Sequence, residues 1–216
     1  MSVPSSEEEP QVQQGIPQIP VDLFVSIKRQ TKKKNGRKNY YHYIFPLLAG
    51  RCLKFTDTFG NLVYESVDFC SSSYSSSSSF RPLCKLLDAS GISVFSIFRS
   101  FDGDCWKGYK GDSSEDKDLL LTVHRLLNTS SKIEFNILVN SSNGKTSSFN
   151  MKGCLFWRSC TIYKDNFVLA QTSLMYKLGL GKVLVRRSRF RVTVFPGFAD
   201  LRTIAALALI FLDGRN

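Results

Sequence analysis

The chain has 216 residues, of which 43% are hydrophobic and 12% aromatic, and its formal net charge is +11. This length and composition predict one globular domain with a well-buried core. No apolar run approaches the roughly 18 residues of a membrane-spanning helix, so a transmembrane segment is excluded. The basic charge favours an anionic partner.

Residues 1–19 are acidic, polar and rich in proline. They contain neither the apolar stretch of a secretory signal nor the basic character of a transit peptide. We therefore expect a disordered lead, followed by one domain over residues 20–216. We also expect an intracellular protein that is cytoplasmic, peripheral at a membrane or nuclear.

The positive charge is concentrated in two stretches, residues 28–38 with seven Lys or Arg and residues 186–191 with four. Outside these stretches the basic and acidic residues cancel. The first stretch could be an ordinary solvated loop, whereas the second leads directly into a predicted strand. As candidates for binding an anionic ligand we name Lys28, Arg29, Lys32, Lys33, Lys34, Arg37, Lys38, Arg186, Arg187, Arg189 and Arg191.

Most of the chain consists of short segments rich in β-branched and aromatic residues, separated by turn signals. Gly60 and Gly91 lie between pairs of such segments and predict two β-hairpins. Residues 175–189 are ambiguous and could hold one more strand. The predicted strands are residues 21–27, 52–57, 62–67, 82–88, 92–100, 105–111, 119–126, 132–140, 148–156, 160–165, 167–174 and 190–196.

Three segments between the strands carry no nucleotide-binding signature. Residues 71–79 are a Ser-rich loop, which is either a linker or a phosphorylation target. Residues 141–146 predict a hairpin turn, and their G-K-T is not a phosphate loop because Val139 occupies the position of the required glycine. The G-L-G-K at residues 179–182 lacks the third glycine of a dinucleotide fingerprint, since Leu184 stands there.

The single convincing helix covers residues 200–213, with Asp200 as its N-cap and Gly214 at its end. Ile204 to Leu212 are nine consecutive apolar residues. They extend about 14 Å, roughly half the hydrocarbon thickness of a bilayer. A helix that is apolar on all sides must be hidden from water. We therefore predict a mainly β fold, an antiparallel closed barrel of about twelve strands around this central helix, with Arg202 and Thr203 near its mouth.

No catalytic, metal or cofactor site is predicted. The six cysteines form no C-x-x-C pair, and in a reducing compartment they are expected to be free thiols, several of them in the core. His124 is expected to be a packed or hydrogen-bonded strand residue. The acidic residues are expected in solvated turns without the spacing of a calcium loop; they are Asp102, Asp104, Asp112, Glu115, Asp116 and Asp118.

Several motifs together resemble the LURP-one-related proteins of plants. The strongest are FNMKGCLFWRSCTIY at residues 149–163 and FRVTVFPGFADLRTIAALALIFLD at residues 190–213. IPVDLFV, LKFTDTFGNLVY, LLDASGISVFSI, DLLLTVHR and LAQTS occur in the same order and register. The resemblance runs from about Pro20 to the end of the chain. It implies the Tubby-like fold shared with phospholipid scramblases, a twelve-stranded barrel around a hydrophobic C-terminal helix.

The resemblance implies an association with plant pathogen defence, through membrane tethering or transcriptional regulation, and supplies no catalytic residues. Three functions therefore stay open. The first is a non-enzymatic module that binds anionic membrane lipid, such as a phosphoinositide, through the two basic stretches. The second is a nucleic-acid-associated regulator that uses the same residues. The third is a protein-interaction scaffold with no polyanionic ligand.

Overall fold

The computed structural model describes residues 19–29, 51–68, 79–129, 131–140, 144–179, 182–196 and 200–214. They form a closed antiparallel barrel of twelve strands around one helix, which confirms the predicted fold class. The strands are β1 Val21–Arg29, β2 Arg51–Thr56, β3 Leu62–Asp68, β4 Phe80–Asp88, β5 Ser93–Ser100, β6 Cys105–Lys110, β7 Leu119–Asn128, β8 Ile133–Asn140, β9 Thr146–Cys154, β10 Ser159–Lys164, β11 Phe167–Gly179 and β12 Lys182–Val194. The helix is α1, Leu201–Asp213, and a 3-10 turn occupies Asp116–Asp118.

Each strand pairs with its neighbours in sequence, and β12 closes the barrel by pairing with β1. Val25 of β1 is opposite Phe55 on one side and Phe190 on the other, and all three side chains are buried inside the barrel. Because successive side chains of a strand point to opposite faces, the residues between them lie on the outer wall.

The connections alternate between the two ends of the barrel. We call the end at which α1 begins the entry rim, and the end at which α1 terminates the exit rim. Among the described residues, the entry rim carries 57–61, 89–92, 111–118, 144–145, 165–166, 195–196 and 200. The exit rim carries the described residues 79, 101–104, 129, 131–132 and 155–158.

The two predicted hairpins are confirmed, since Gly60 and Gly91 have φ angles of 89° and 79°, in the region that favours glycine. The ambiguous residues 175–189 are not an additional strand. They form the end of β11 and the first part of β12, which pair from Tyr176 opposite Val185 to Gly179 opposite Lys182. A register shift between Leu174 and Tyr176 interrupts the alternation of inward and outward side chains along β11. This interruption explains why residues 175–189 show no clear strand periodicity in the sequence.

Helix α1 begins and ends where the sequence predicts. The Asp200 side chain accepts a hydrogen bond of 3.2 Å from the Arg202 backbone N–H, and the Gly214 N–H donates to the Ile210 carbonyl over 2.9 Å. Every residue from Thr203 to Asp213 is buried. The predicted role of the apolar run is therefore confirmed: it fills the interior of the barrel.

A buried polar cluster, which the sequence did not predict, holds the C-terminal end of α1. The Trp106 Nε1–H donates a hydrogen bond of 2.9 Å to Asp213 Oδ2, and the Arg99 guanidinium lies 3.4 Å from the same oxygen. The guanidinium carbon of Arg99 is also 5.4 Å from the centre of the Trp106 ring. All three side chains are at most 3% exposed. Burial raises the pKa of Asp213, against the opposing effects of the Trp106 hydrogen bond and the Arg99 charge.

Arg125 covers this end of the barrel from the exit rim. Its Nη1 donates a hydrogen bond of 2.9 Å to the Gly214 carbonyl oxygen, and its Nε donates over 2.8 Å to Asp104 Oδ1. A cation at the C-terminus of a helix is favourable because the helix dipole places negative charge there. Arg99 and Arg125 therefore fix where the helix ends.

Replacing a small residue of α1 by a larger one is expected to overfill the barrel. Ala206 is fully buried, so Ala206→Leu should lower the free energy of unfolding by about 1–3 kcal/mol, measured by urea denaturation. The matched control is Ala89→Leu in an exposed turn, which should change stability by less than about 0.5 kcal/mol. Equal effects of the two substitutions would contradict the tight packing of the helix.

Removing the Asp213 carboxylate should destabilise the barrel strongly, because it leaves the buried Arg99 charge without its counter-ion. We expect Asp213→Ala to cost about 3–5 kcal/mol in urea unfolding. The control is Asp112→Ala, which breaks the exposed 2.6 Å pair with Lys85 and should cost less than about 1 kcal/mol. The double variant Arg99→Met/Asp213→Ala should be more stable than additivity predicts, and strict additivity would contradict the coupling.

Candidate anionic-ligand surface

Residues of both predicted basic stretches lie on the paired strands β1 and β12. Lys28 and Arg29 are the last residues of β1, so the predicted loop 28–38 was wrong at these two positions. Residues 186–191 lie within β12. Lys32, Lys33, Lys34, Arg37 and Lys38 lie outside the described residues, as do the side chains of Arg29, Arg186 and Arg187.

The pairing of β1 with β12 brings the described candidates together on the outer wall. Arg189 is opposite Ser26, and Arg191 is opposite Phe24. Lys28 continues the same face of β1 two residues beyond Ser26. Lys28, Arg189 and Arg191 are all exposed. Barrel closure thus joins residues that are more than 150 positions apart in the chain.

Lys54 adds a fourth positive charge that sequence analysis missed. It lies on β2 opposite Ser26, which is itself opposite Arg189, so Lys54 and Arg189 are on strands two apart, about 10 Å. Lys54 faces outward on β2, which pairs with β1 on the side opposite to β12. A single basic residue in the sequence gives no signal of this position until the strand order is known.

Two carboxylates lie beside these cations. Arg191 Nη1 is 3.6 Å from Asp22 Oδ2, and the Thr193 hydroxyl donates a hydrogen bond of 2.6 Å to Asp22 Oδ1. Lys54 Nζ donates over 3.0 Å to Glu65 Oε2. Burial acts to raise the pKa of Glu65, but hydrogen bonds from the Cys52 thiol and from Lys54 outweigh it and lower that pKa. The charge of Lys28 also lowers the pKa of Glu65, so both carboxylates lie within the basic surface.

An open depression of about 260 Å³ lies on the same wall. Ser173, Arg191 and Phe24 form one cross-strand row over β11, β12 and β1, and Leu174 and Met175 complete the lining. The depression offers a hydroxyl and a guanidinium beside an aromatic ring. This combination can hydrogen-bond a phosphate oxygen and contact an apolar group next to it.

The two rims differ in charge. The described entry-rim connections contain seven acidic and two basic residues, whereas the described exit-rim connections contain two of each. The entry-rim set is Asp57, Asp112, Glu115, Asp116, Asp118, Asp165 and Asp200 against Lys117 and Lys145. The exit-rim set is Asp102 and Asp104 against Lys132 and Arg158. Lys28, at the exit-rim end of β1, and Lys152, near the exit-rim end of β9, add exposed positive charge at that end.

The acidic residues that were expected in solvated turns are exposed, except that Asp118 is half-buried. Asp104 accepts hydrogen bonds from Arg125, and Asp118 accepts one of 2.6 Å from the Ser113 hydroxyl. His124 lies in β7, as expected, but its side chain is exposed rather than packed. Within the described ranges, no three His, Cys, Asp or Glu side chains are grouped so that they could hold a metal ion.

Five of the six cysteines are described, and all five are free thiols, as the sequence predicts. Cys84 and Cys160 are buried among apolar residues, whereas the buried Cys52 donates a hydrogen bond of 2.9 Å to Glu65 Oε1. Burial raises the pKa of Cys160 to about 12, and burial together with the Glu65 hydrogen bond raises that of Cys52 to about 12. The pKa of Cys84 is also raised by burial. Thiols with such pKa values are not activated nucleophiles.

No helix in the described part of the chain is long and apolar enough to cross a membrane. No solved structure matches the chain.

A family model described as LURP-one-related matches residues 44–213. The chain is 39% identical over 196 residues to Protein LURP-one-related 7 of Arabidopsis thaliana. The aligned region covers 91% of this chain and 91% of the relative. It is 30% identical over 132 residues to Protein LURP-one-related 15 of the same plant, covering 59% of this chain and 60% of the relative. The predicted resemblance is confirmed, and the chain belongs to the LURP-one-related family.

Proposed function

We propose that this protein is a non-enzymatic module that binds anionic membrane lipid, with phosphoinositides as the preferred class, and so acts as a membrane tether or signalling module in plant defence. The observation that supports the proposal is that Lys28, of the first basic stretch, lies on the same outer wall as Arg189 and Arg191, of the second. All three side chains are exposed, and Lys28 lies at the exit-rim end of β1.

The charge distribution supports a defined orientation on a membrane. Each Lys or Arg near an anionic surface contributes about 1 kcal/mol, and this attraction decreases with distance over a Debye length of about 10 Å. The seven acidic residues of the described entry-rim connections repel a negatively charged surface, whereas the exposed Lys28, Lys132 and Lys152 at the exit-rim end attract it. A scaffold without a polyanionic ligand would not require this separation of charge.

Lipid is favoured over nucleic acid because of where the helix lies. Sequence-specific binding to duplex DNA commonly places a helix or a two-stranded ribbon in the major groove. The helix α1 is buried inside the barrel and cannot serve this purpose. A regulator that binds nucleic acid through the same cations remains the alternative, and vesicle and duplex binding distinguish the two.

We also propose that the protein is not an enzyme. The buried thiols that are described have pKa values raised by burial. His124 is exposed on β7, and no Ser or Cys is next to it in the sequence. The exposed carboxylates are engaged in turns and surface ion pairs. These surroundings favour a binding role for the protein.

Charge reversal at the junction should abolish lipid binding. We expect wild-type protein to sediment with vesicles of phosphatidylcholine containing phosphatidylinositol 4,5-bisphosphate at low salt, and less at high salt. Lys28→Glu/Arg189→Glu should weaken this binding by about tenfold or more, measured by co-sedimentation. Both residues are exposed, so the fold should be unaffected.

The matched control is Lys117→Glu/Lys145→Glu, which changes the net charge equally but lies on the entry rim. It should bind vesicles like the wild type. Equal losses from the two variants would mean that only net charge matters. Absence of sedimentation under all conditions, with a duplex shifted instead, would favour the nucleic-acid alternative.

The buried thiols should resist alkylation in the native protein. After treatment with iodoacetamide at pH 8, Cys52, Cys84 and Cys160 should remain unmodified, because burial raises their pKa values and blocks access. Peptide mass spectrometry checks this, and labelling in urea is the control in which all three should react. Rapid labelling of Cys52 in the native protein would contradict its burial and its raised pKa, and would indicate an activated thiol.

A further inference from the structure

Three consecutive exit-rim turns in the described barrel carry exposed apolar side chains. Phe101, in the β5–β6 turn, is 67% exposed, and Leu126 lies exposed near the end of β7. The β9–β10 turn presents Phe156 and Trp157, whose rings are in edge-to-face contact at 5.0 Å between centres. Trp157 is 52% exposed. Large apolar side chains grouped on a surface mark a site of interaction.

The strand order determines how these side chains are arranged. Strands β5 to β10 are consecutive around the barrel, so their three exit-rim turns form one arc of the rim. Strands β12, β1 and β2, which carry Arg189, Lys28 and Lys54, occupy another part of the circumference. The exit rim therefore presents an apolar arc, and Lys28 lies at the same end of the barrel on β1.

Exposure alone does not distinguish this rim from the other. Six exposed apolar residues lie at the entry-rim end: Ile19, Val21, Phe59, Ile92, Phe167 and Val168. The described connections at that end contain seven acidic and two basic residues, which opposes the approach of an anionic surface. At the exit-rim end, by contrast, the exposed apolar side chains are accompanied by the exposed lysines Lys28, Lys132 and Lys152.

We infer that the exit rim inserts Phe101, Leu126, Phe156 and Trp157 into the interfacial region of an anionic bilayer, so that the barrel stands on the membrane with the C-terminal end of α1 facing the lipid. The inference rests on the proposed lipid-binding function and adds the mode of contact. Aromatic side chains, Trp in particular, favour the membrane–water interface because the ring is apolar and the N–H is polar.

Lysines at this rim fit the same arrangement. Lys132, in the β7–β8 turn, and Lys152, near the end of β9, are both exposed and flank the apolar turns. Their flexible side chains can reach anionic head groups while the neighbouring apolar groups enter the interface. Apolar insertion and charge attraction then act together, which is the combination that gives stable peripheral binding.

The two tryptophans of the chain allow a direct test. Trp106 is buried within the barrel, whereas Trp157 lies on the rim, and the chain has no others. We would measure tryptophan fluorescence on anionic vesicles whose phosphatidylcholine carries brominated acyl chains, which quench only tryptophans close to them. We expect binding to shift the emission to the blue and to quench part of the signal. The variant Trp157→Phe should lose both effects, leaving the unquenched emission of Trp106.

Affinity is measured in parallel with a matched pair of variants. Phe156→Ser/Trp157→Ser should weaken vesicle binding by about tenfold, because two apolar side chains no longer enter the interface. Phe59→Ser/Phe167→Ser removes two exposed rings from the entry-rim ends and should leave binding unchanged. Urea unfolding verifies that both variants are folded.

The outcomes separate the inference from the function on which it rests. Vesicle binding that is sensitive to Lys28→Glu/Arg189→Glu but shows no quenching of Trp157 would overturn the inserted rim and leave lipid binding in place. If only the entry-rim variant Phe59→Ser/Phe167→Ser lost binding, the entry rim would be the end that faces the membrane. That result would also overturn the insertion of the exit rim. Failure of the wild type to bind any anionic vesicle would overturn both proposals.

Discussion

The structure depends on the burial of α1, whose residues from Thr203 to Asp213 are hidden from water. An apolar helix of this kind has no stable place on a protein surface, so the strands must enclose it completely. Closure requires β12 to pair with β1, the first and last strands of the barrel. The buried Arg99–Asp213 pair and the Trp106 hydrogen bond then fix the far end of the helix within that enclosure.

This requirement also organises the outer surface. Because the first and last strands must meet, Lys28 and Arg189 become neighbours although they are far apart in sequence. Because each strand reverses the direction of the one before it, successive connections fall on opposite rims, and seven acidic residues gather in the described connections of the entry rim. The antiparallel topology therefore determines where the charged residues of the chain lie on the surface of the barrel.

The sequence was sufficient for features that depend on local chemistry. Asp200, the apolar run and Gly214 defined α1, and Gly60 and Gly91 marked two hairpins. It was insufficient where a residue's role depends on distant partners. Asp213 looked like the polar end of a helix, and only its contacts with Arg99 and Trp106 reveal a buried ion pair. Lys54 and the apolar rim residues could not be assigned before the strand order was known.

The closed topology also limits how a partner can be recognised. Each strand in the described barrel is paired on both sides, so no edge is available for an additional strand from another protein. Recognition must then use side chains on the outer wall or on the rims. The wall near Arg191 combines a guanidinium with Ser173 and Phe24, and the exit-rim end carries exposed aromatic side chains and lysines. The proposed contact with an anionic bilayer would use these groups, and none of them depends on a free strand edge.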